Sequence, residues 1–405
     1  MRHDTQRYSK YLRLNGWEEV ASPYAADLII YTTCGVIKDT EDFALQSIAN
    51  LQKMISKNTT FLVGGCLSKI NPNSLKKVFK GTTFSKADES MLDSIINATV
   101  SINDVFWDGD IIREHSPGDP FLYYTNEELN ELKLSEKLAK KFKNQNFIEI
   151  YNYLTKGRFF WKEEGLFEVK VADGCLFNCS YCAAKRAKGT LKSRPLEKIL
   201  AETKFGVSKG YKRIVLTGDE VGDYGWDISS SLPDLLEKID PITKNIKIAV
   251  RYITPDSLIK NIDRLEPFFK KGKIYYLCAS FQSGSDEILK KMNRPRDLNK
   301  FLPLIRRLKH DYPLLFIHTQ VIVGFPGETK QDFNKTIKAL EFANFDYITI
   351  TRYSDRPGVS SSKMKGHISK SEMDRRYLEL RTIESKMRRR KLEELTFREI
   401  SESDC

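Results

Sequence analysis

Apolar residues along the chain show two kinds of spacing, one typical of helices and one typical of buried strands. Residues 4–15 have helical spacing, and Gly16 ends that segment. Continuous apolar runs at 27–32 and 60–64 are typical of buried strands, and the segment 42–54 between them again has helical spacing. A strand, a helix and a second strand of these lengths form a βαβ unit, so we predict a small parallel α/β sheet in the N-terminal region.

The same order recurs from about residue 166 onward. Six apolar runs alternate with helical segments, at 167–172, 213–218, 246–253, 274–281, 318–325 and 347–353. Six β/α units in series predict a partial (β/α)6 barrel with its chemistry at the C-terminal ends of the strands. A long basic helix is predicted over 365–400. Its charges around Arg388–Lys391 are expected to form a solvated face, with phosphate contact as the alternative.

These patterns divide an α/β chain into four regions. We predict an N-terminal domain over 1–100, a barrel over 166–355 and a C-terminal helical extension over 356–405. Residues 101–165 are charged and irregular, with aromatic clusters, and we interpret them as a connector with one or two helices. A chain of 405 residues is long enough for two or three domains, each with its own core.

The composition indicates where in the cell the protein is expected and whether its cysteines are reduced. No apolar run approaches the roughly 18–20 residues of a membrane helix, and the N-terminus lacks the apolar segment of a secretion signal. We therefore expect a cytoplasmic protein without membrane contact. Seven cysteines, odd in number and mostly clustered, favour reduced thiols and metal ligation over disulfides. A net charge of +12 favours a polyanionic partner such as nucleic acid.

Three cysteines follow the first predicted barrel strand directly. Cys175, Cys179 and Cys182 have the spacing C-x3-C-x2-C. Three thiolates bind three irons of a 4Fe–4S cluster and leave the fourth iron open for a substrate. The alternative is a zinc site, which needs a fourth Cys or His nearby, and the nearest histidines, His115 and His310, are remote in sequence. We therefore predict a 4Fe–4S cluster at the mouth of the barrel.

This loop, with Tyr181 just before its third cysteine, resembles the signature of the radical S-adenosylmethionine (SAM) superfamily. The segment 218–220 resembles the element that meets the methionyl amino group of SAM, and 321–328 resembles the element beside its adenine. Each glycine alone is explained by turn chemistry, but their series at strand ends favours the resemblance. The resemblance implies SAM contacts from Tyr181, Gly218, Asp219, Glu220, Gln282, Ser283, Ile322 and Gly324.

Longer strings resemble the narrower family of methylthiotransferases, which insert sulfur into C–H bonds of tRNA bases or of a ribosomal protein residue. The strings are Lys188-Gly189 with Ser193-Arg194-Pro195, Leu216-Thr217-Gly218 with Gly222-Asp223-Tyr224-Gly225, Gln282-Ser283-Gly284-Ser285 with Met292-Asn293-Arg294-Pro295, Gly324–Thr329, and Ser354-Asp355-Arg356-Pro357-Gly358. The likeness covers residues 4–395 and implies a transferase of the EC 2.8.4 type.

That family holds a second, auxiliary 4Fe–4S cluster on three N-terminal cysteines, and Cys34 and Cys66 match two of them. Both follow predicted parallel strands, whose ends meet at one sheet edge, where α/β sheets place ligands. The alternative is a pair of buried structural thiols. The family's first cysteine has no counterpart in the sequence, so the third ligand stays open: His3, Cys405, a substrate group, or loss of the cluster. The family's RNA-binding TRAM domain has no counterpart after residue 395.

The resemblance implies that one electron, from a reductant such as flavodoxin or ferredoxin, reaches the first cluster and cleaves SAM. The resulting 5′-deoxyadenosyl radical takes a hydrogen atom from the substrate, and sulfur or a methylthio group joins that carbon. The implied substrate is tRNA. The alternatives are a peptide or protein residue, a radical SAM reaction without sulfur transfer, and an inactive iron–sulfur or RNA-binding module.

Three positions depart from the family's residues, which suggests an altered substrate. They are Thr32 in place of asparagine, Lys188 in place of arginine and Gln320 in place of aspartate. A further cysteine, Cys278, is predicted to line the barrel.

Overall fold

The computed structural model describes residues 2–105 and 166–403. From position 106 on, the connector predicted over 101–165 lies outside the described residues, and so do its aromatic clusters. None of the described helices is both long enough and apolar enough to cross a membrane.

The N-terminal domain is built on a parallel sheet, as the βαβ pattern predicts. Its strands, in spatial order, are β1 Leu28–Thr33, β2 Thr60–Gly65 and β3 Thr83–Phe84. Its helices are α1 Arg2–Leu14, α2 Lys38–Met54, α3 Leu67–Ile70, α4 Pro72–Val78 and α5 Met91–Ile95. The sequence pattern missed β3, because two residues are too few to show a period.

The second sheet has six parallel strands that lie side by side in chain order, which confirms the predicted partial barrel. The strands are β4 Leu166–Lys170, β7 Arg213–Thr217, β8 Lys247–Ile253, β9 Ile274–Ala279, β10 Phe316–Val323 and β11 Tyr347–Arg352. A short antiparallel ribbon of β5 Ala172–Asp173 and β6 Lys192–Ser193 comes between β4 and β7 in the sequence and forms a separate sheet. The helices are α6 Ala184–Lys188, α7 Leu196–Ser208, α8 Leu232–Ile239, α9 Pro255–Lys270, α10 Asp286–Lys291, α11 Leu298–Asp311 and α12 Lys330–Ala343. Because the strands of this sheet run in one direction, their carboxyl ends form a single edge, which we call the rim.

An apolar core fills the space between this sheet and its helices. Phe281 stacks on Phe345 with the ring centroids 5.8 Å apart, and the Phe301 centroid lies 6.1 Å from that of Phe281. All three side chains are buried. Burying such a side chain stabilises the fold by about 1.5–3 kcal/mol. Since Phe281 closely follows β9, this core anchors the segment that continues from β9 to the rim.

The C-terminal helix α13, Lys370–Ser403, packs against β11 and α12. The prediction of a solvated face around Arg388–Lys391 is wrong for Arg388 and Lys391, which are both buried. The reason is that the helix lies along the barrel and buries Leu380 and Met387 in its core, so neighbouring cations on the same side are covered as well.

Helix α13 also holds the segment that follows β10. Arg376 donates to Glu328 Oε2 at 2.6 Å and to the backbone oxygen of Glu328 at 3.0 Å. The same carboxylate oxygen accepts the N–H of Gly324 at 2.8 Å. Both partners of this ion pair are buried, so the contact fixes the rim segment to the helix.

Replacing Arg376 with leucine is expected to lower the free energy of unfolding by about 3 kcal/mol, because the Glu328 carboxylate loses its buried partner. Arg375 is the matched control, since its half-exposed side chain pairs with Glu372 and Glu379 on the helix surface. Arg375→Leu should cost no more than about 1 kcal/mol. Urea denaturation followed by circular dichroism measures both free energies of unfolding. The two variants should show the same dependence of that free energy on urea concentration. Equal midpoints for the two variants would contradict this role of the ion pair.

Candidate active site

The loop with three cysteines begins at the rim, immediately after β5. Gly174 has a φ of +69°, and a Cβ there would lie 2.1 Å from the carbonyl oxygen of Thr190, so glycine is required. The N–H of Gly174 donates to Asp219 Oδ2 at 2.8 Å. The loop therefore leaves the sheet in a fixed direction and is tied to the segment that follows β7.

The turn after α10 holds the middle of this loop. Ser180 donates through its N–H to the Met292 oxygen at 2.9 Å and through Oγ to the Lys291 oxygen at 2.8 Å. Asn293 Nδ2 donates to the Asn178 oxygen at 2.9 Å. These bonds to backbone oxygens fix the loop's path on both sides of its second cysteine.

The three thiols of the loop are partly buried. Burial raises the pKa of Cys175 to about 12, although the N–H of Phe177 donates to its Sγ at 3.4 Å and opposes the change. Burial also raises the pKa of Cys182. Thiols in such surroundings keep their protons in the free protein, and they lose them when a metal binds and takes the place of the proton.

A partly buried arginine that the sequence interpretation did not single out lies against the loop. Arg294 donates Nη1 to Cys179 Sγ at 3.7 Å and Nη2 to the Ser280 oxygen at 2.5 Å. Its guanidinium lies 5.8 Å from the centroid of the Phe177 ring. Its buried Nε has no hydrogen-bond partner among the described residues. The only sequence signal for Arg294 was its place in the 292–295 string.

The donor set fits a 4Fe–4S cluster. Three thiols are the ligands that such clusters take, and each binds a different iron. A zinc ion instead gathers its thiolates around one centre at about 2.3 Å. Within the described part of the chain, no three Cys, His, Asp or Glu side chains gather at a site for one metal ion. Arg294 adds an N–H donor for the sulfur of Cys179, and such hydrogen bonds are typical of cluster ligands.

The segment 218–220 lies at the neighbouring strand end, after β7. Gly218 lies close to Ala172, whose oxygen would be 3.0 Å from an added Cβ. Glu220 is buried and accepts two backbone N–H groups, at 3.2 and 3.0 Å. Burial raises the pKa of Glu220 to about 8, and the carboxylate of Asp223 adds to this effect.

The predicted SAM-contacting residues after β9 and in β10 are joined by backbone bonds. Gln282 has a φ of +73°, its N–H donates to the Gln320 oxygen at 2.9 Å, and its oxygen accepts the N–H of Ile322 at 3.0 Å. Ser283 is fully buried beside this contact. Gly324 follows β10 with a φ of +77°, and an added Cβ would collide with helix α13 at 2.2 Å. The structure therefore brings these two predicted elements to one part of the rim.

Tyr181 links the cysteine loop to the same part of the rim. Its ring meets that of Phe325 edge to face, with the centroids 6.4 Å apart. Phe325 directly follows Gly324 and also contacts Tyr353 at 5.5 Å. Aromatic packing thus places the third cysteine of the loop near the end of β10.

Cys34 and Cys66 lie side by side at the edge of the N-terminal sheet. Each directly follows the last residue of a strand, Thr33 of β1 and Gly65 of β2, and these two residues are register partners. The Cys66 N–H donates to the Thr33 oxygen at 3.1 Å. An added Cβ at Gly65 would lie 2.3 Å from that oxygen, so the close approach of the two strand ends requires glycine.

This edge packs against α6, the helix that follows the cysteine loop. Cys66 contacts an apolar cluster formed by Ile70, Ala183, Ala187 and Val359. Burial lowers the pKa of Lys188, at the end of α6, but Asp219 and Cys66 outweigh it and raise the pKa overall. A cation thus lies within electrostatic reach of the Cys66 thiol and of the 218–220 segment.

The remaining sequence candidates lie elsewhere. Cys278 is buried within β9, with its Sγ 3.9 Å from Ser280 Oγ, where barrel lining was expected. Thr32 in β1 shares a hydrogen bond of 2.9 Å with Thr5. The side chain of His3 and residue Cys405, considered as third ligands of the second cluster, lie outside the described residues.

Two family models match the chain. The model described as the radical SAM superfamily matches residues 169–340, and the model described as uncharacterized protein family UPF0004 matches residues 1–85.

The chain is similar to the threonylcarbamoyladenosine tRNA methylthiotransferase MtaB of Thermotoga maritima. The two are 28% identical over 376 residues, which cover 92% of this chain and 77% of the relative. It is also similar to the ribosomal protein uS12 methylthiotransferase RimO of Thermosipho melanesiensis. There the identity is 34% over 229 residues, which cover 56% of this chain and 53% of the relative.

Among solved structures, the chain resembles the radical SAM methyltransferase TsrM of Kitasatospora setae, with a TM-score of 0.54. The match covers 89% of this chain and 66% of that one at 13% identity, so it shows the fold alone. The chain therefore contains a radical SAM domain over 169–340 and a UPF0004 domain over 1–85, and its relatives include methylthiotransferases named for tRNA and for ribosomal protein uS12.

Proposed function

We propose that this protein is a sulfur-inserting radical SAM enzyme that acts on tRNA. The observation that carries the proposal is the packing of two thiol-bearing sheet edges against each other. The edge with Cys34 and Cys66 lies on α6, which begins two residues after Cys182. Radical SAM proteins bind a 4Fe–4S cluster and SAM, and the homologous methylthiotransferases have a second cluster. The two groups of thiols are the matching ligands in this chain.

In this proposal the loop of Cys175, Cys179 and Cys182 holds the SAM-cleaving cluster, and Cys34 and Cys66 hold the second cluster. When bound, the first cluster and SAM supply a carbon radical that can take a hydrogen atom from an unactivated C–H bond. The net change would replace a C–H bond of the substrate with a C–S bond. A reductant would give one electron, SAM would part into methionine and 5′-deoxyadenosine, and the latter would carry the hydrogen atom away. A sulfide-level sulfur held at the second cluster would join the carbon and leave one electron on that cluster.

The chain's own residues bind and orient SAM. The 218–220 segment lies next to the cysteine loop and would receive the methionyl end, whereas the joined strand ends after β9 and β10 would receive the adenosyl end. The packing of Tyr181 on Phe325 helps to exclude water. The proposed contacts are Tyr181, Gly218, Asp219, Glu220, Gln282, Ser283, Ile322 and Gly324.

The choice of tRNA rests on charge and on the relatives. The net charge of +12 suits a phosphate backbone, and the relative from Thermotoga maritima is named for a tRNA nucleoside. The second candidate is a protein residue, which the similarity to the ribosomal protein methylthiotransferase favours. A cytoplasmic location, a flavodoxin or ferredoxin as reductant, and the division at residues 100, 165 and 355 belong to the same proposal.

Alanine at Cys175, Cys179 or Cys182 is expected to remove about half of the iron loaded by anaerobic reconstitution and to abolish 5′-deoxyadenosine formation, since the SAM-binding iron is lost. Cys278→Ser is the matched control, because this cysteine lies within β9. It should keep the iron and the activity. Iron and sulfide assays, with chromatography of nucleosides after dithionite reduction, measure both. SAM cleavage that persists in all three alanine variants would rule out this cluster site.

The double variant Cys34→Ala/Cys66→Ala is expected to lose about half of the iron while SAM cleavage continues, because the first cluster keeps its ligands. Sulfur incorporation into the substrate should disappear. The same iron assay and mass spectrometry of digested substrate report the two effects separately. A double variant with wild-type iron content would show that these thiols hold no cluster.

Binding of unmodified tRNA is expected to weaken steeply with salt. If about six phosphates are contacted, the Kd should rise by about a thousandfold between 50 and 200 mM salt. Filter binding over that range gives the slope, and a neutral competitor such as dextran controls for crowding. Absence of tRNA binding at 50 mM salt, together with modification of a protein residue, would favour the second candidate instead.

A further inference from the structure

A buried ion pair joins the N-terminal domain to the barrel. Arg356, in the segment after β11, donates Nη2 to Glu41 Oε2 in the first turn of α2. Each side chain is only 1% exposed. Burying two charges is costly unless both are well satisfied by hydrogen bonds, so the other contacts of Glu41 and Arg356 indicate what the pair holds in place.

The carboxylate of this pair is held from its other side as well. Asn71 Nδ2 donates to Glu41 Oε1 at 2.9 Å, and the same asparagine caps α4 through the Ser74 N–H at 3.3 Å. The N–H of Lys38 donates to Ser354 Oγ at 2.9 Å. The start of α2 is therefore bonded to the segment 354–358 at two points.

Cys34 lies within this contact. The chain passes from the end of β1 at Thr33 through Cys34 to the start of α2 at Lys38, so the thiol belongs to the short connection that the segment 354–358 covers. Burial lowers the pKa of Arg356 overall, and the nearby sulfur of Cys34 partly opposes this change. Because the first turn of α2 is bonded to Ser354 and Arg356, the guanidinium lies beside the connection that carries Cys34.

The guanidinium of Arg356 has one buried donor that makes no hydrogen bond within the described part of the chain. Nη2 is committed to Glu41, whereas the Nε of Arg356 is buried without a hydrogen-bond partner among the described residues. An unpaired buried N–H is unfavourable for folding, so a group that accepts its hydrogen bond would be stabilised there. The neighbouring thiol is the position where a cluster sulfur would lie, and sulfur ligands of iron–sulfur clusters commonly accept hydrogen bonds.

The same segment also contacts α6, the helix that follows the loop of the first cluster. Arg186, in α6, donates to the Pro357 oxygen at 2.5 Å and to the Ile70 oxygen at 3.3 Å. An added Cβ at Gly358 would lie 2.4 Å from Arg186 Nη1, so glycine permits this approach. The segment 354–358 therefore lies between the two thiol-bearing edges.

We infer that Arg356 is a positioning residue of the second cluster, fixed by its ion pair with Glu41 and donating its Nε–H to the sulfur held at Cys34. This inference rests on the proposed function, because it needs the second cluster. Reduction adds negative charge to a cluster, and a cationic donor beside a sulfur stabilises that charge. Arg356 should therefore favour the reduced form of the second cluster.

The test isolates the second cluster in the full chain by carrying Cys175→Ala, Cys179→Ala and Cys182→Ala in every protein. In this background Arg356→Met should lower the ratio of reduced to oxidised cluster about tenfold at the potential where the parent is half reduced, which is the effect of one hydrogen bond to a charged group. Glu41→Gln should raise that ratio, because the guanidinium stays while its counter-charge is removed. A redox titration followed by EPR, with iron assays, measures both.

Arg352→Met is the matched control, since this exposed cation at the end of β11 pairs with Asp374 at 2.5 Å and lies four residues away. It should leave the ratio unchanged. If Arg356→Met loses iron, Arg356→Lys is used in its place. Arg356→Lys should keep its iron, and its ratio of reduced to oxidised cluster should fall by less than tenfold, because lysine keeps the charge but lacks the planar donor.

If Arg356 only holds the N-terminal domain against the barrel, a different set of results is expected. The Arg356 and Glu41 variants would then lose iron together, or shift the ratio in the same direction, and either result overturns the inference. An unchanged ratio in Arg356→Met at full iron content also overturns it. Failure of the parent background to take up any iron would instead show that the proposed second cluster is absent.

Discussion

Parallel strands end at a common edge, and this constraint brings the thiols of two separate sheets together. In the N-terminal domain the β1 and β2 ends are register partners, so Cys34 and Cys66 lie side by side. In the barrel the cysteine loop follows the carboxyl end of the parallel strand β4, after the short β5. Apolar contacts at Ala183 and Ala187 then dock one edge on the other. The chemistry that we propose needs two groups of thiols close together, and this docking supplies them.

Burial gives the docked edges their electrostatic character. The thiols of Cys66, Cys175 and Cys182 all have a pKa raised chiefly by burial, so a bound metal rather than water stabilises their deprotonated forms. Two arginines, Arg294 and Arg356, lie beside the two groups and each has a buried Nε without a partner among the described residues. Donors of this kind, placed at sulfur, set how readily a cluster accepts an electron.

Most of the fold followed from local patterns, because each long strand shows as a continuous apolar run and each helix as a periodic one. The cysteine loop followed from its spacing. Cys34 and Cys66 were singled out by the family resemblance, and the rule that parallel strands end together agrees with their pairing. Contacts between distant segments could not be predicted this way. Arg294 and Arg356 stood out in the sequence only as members of family-like strings, and their buried contacts could not be predicted, since burial of a charge depends on its partner in space. The burial of Arg388 was missed for the same reason.

The central claim is that two clusters lie close together between these edges, and the most direct measurement is EPR of the reconstituted, dithionite-reduced full chain. Spectra of Cys34→Ala/Cys66→Ala and of the triple variant at Cys175, Cys179 and Cys182 give each cluster alone. If the clusters are neighbours, the spectrum of the intact protein will show magnetic coupling and will differ from the sum of these two. A spectrum equal to that sum, or one that contains a single cluster, would contradict the account.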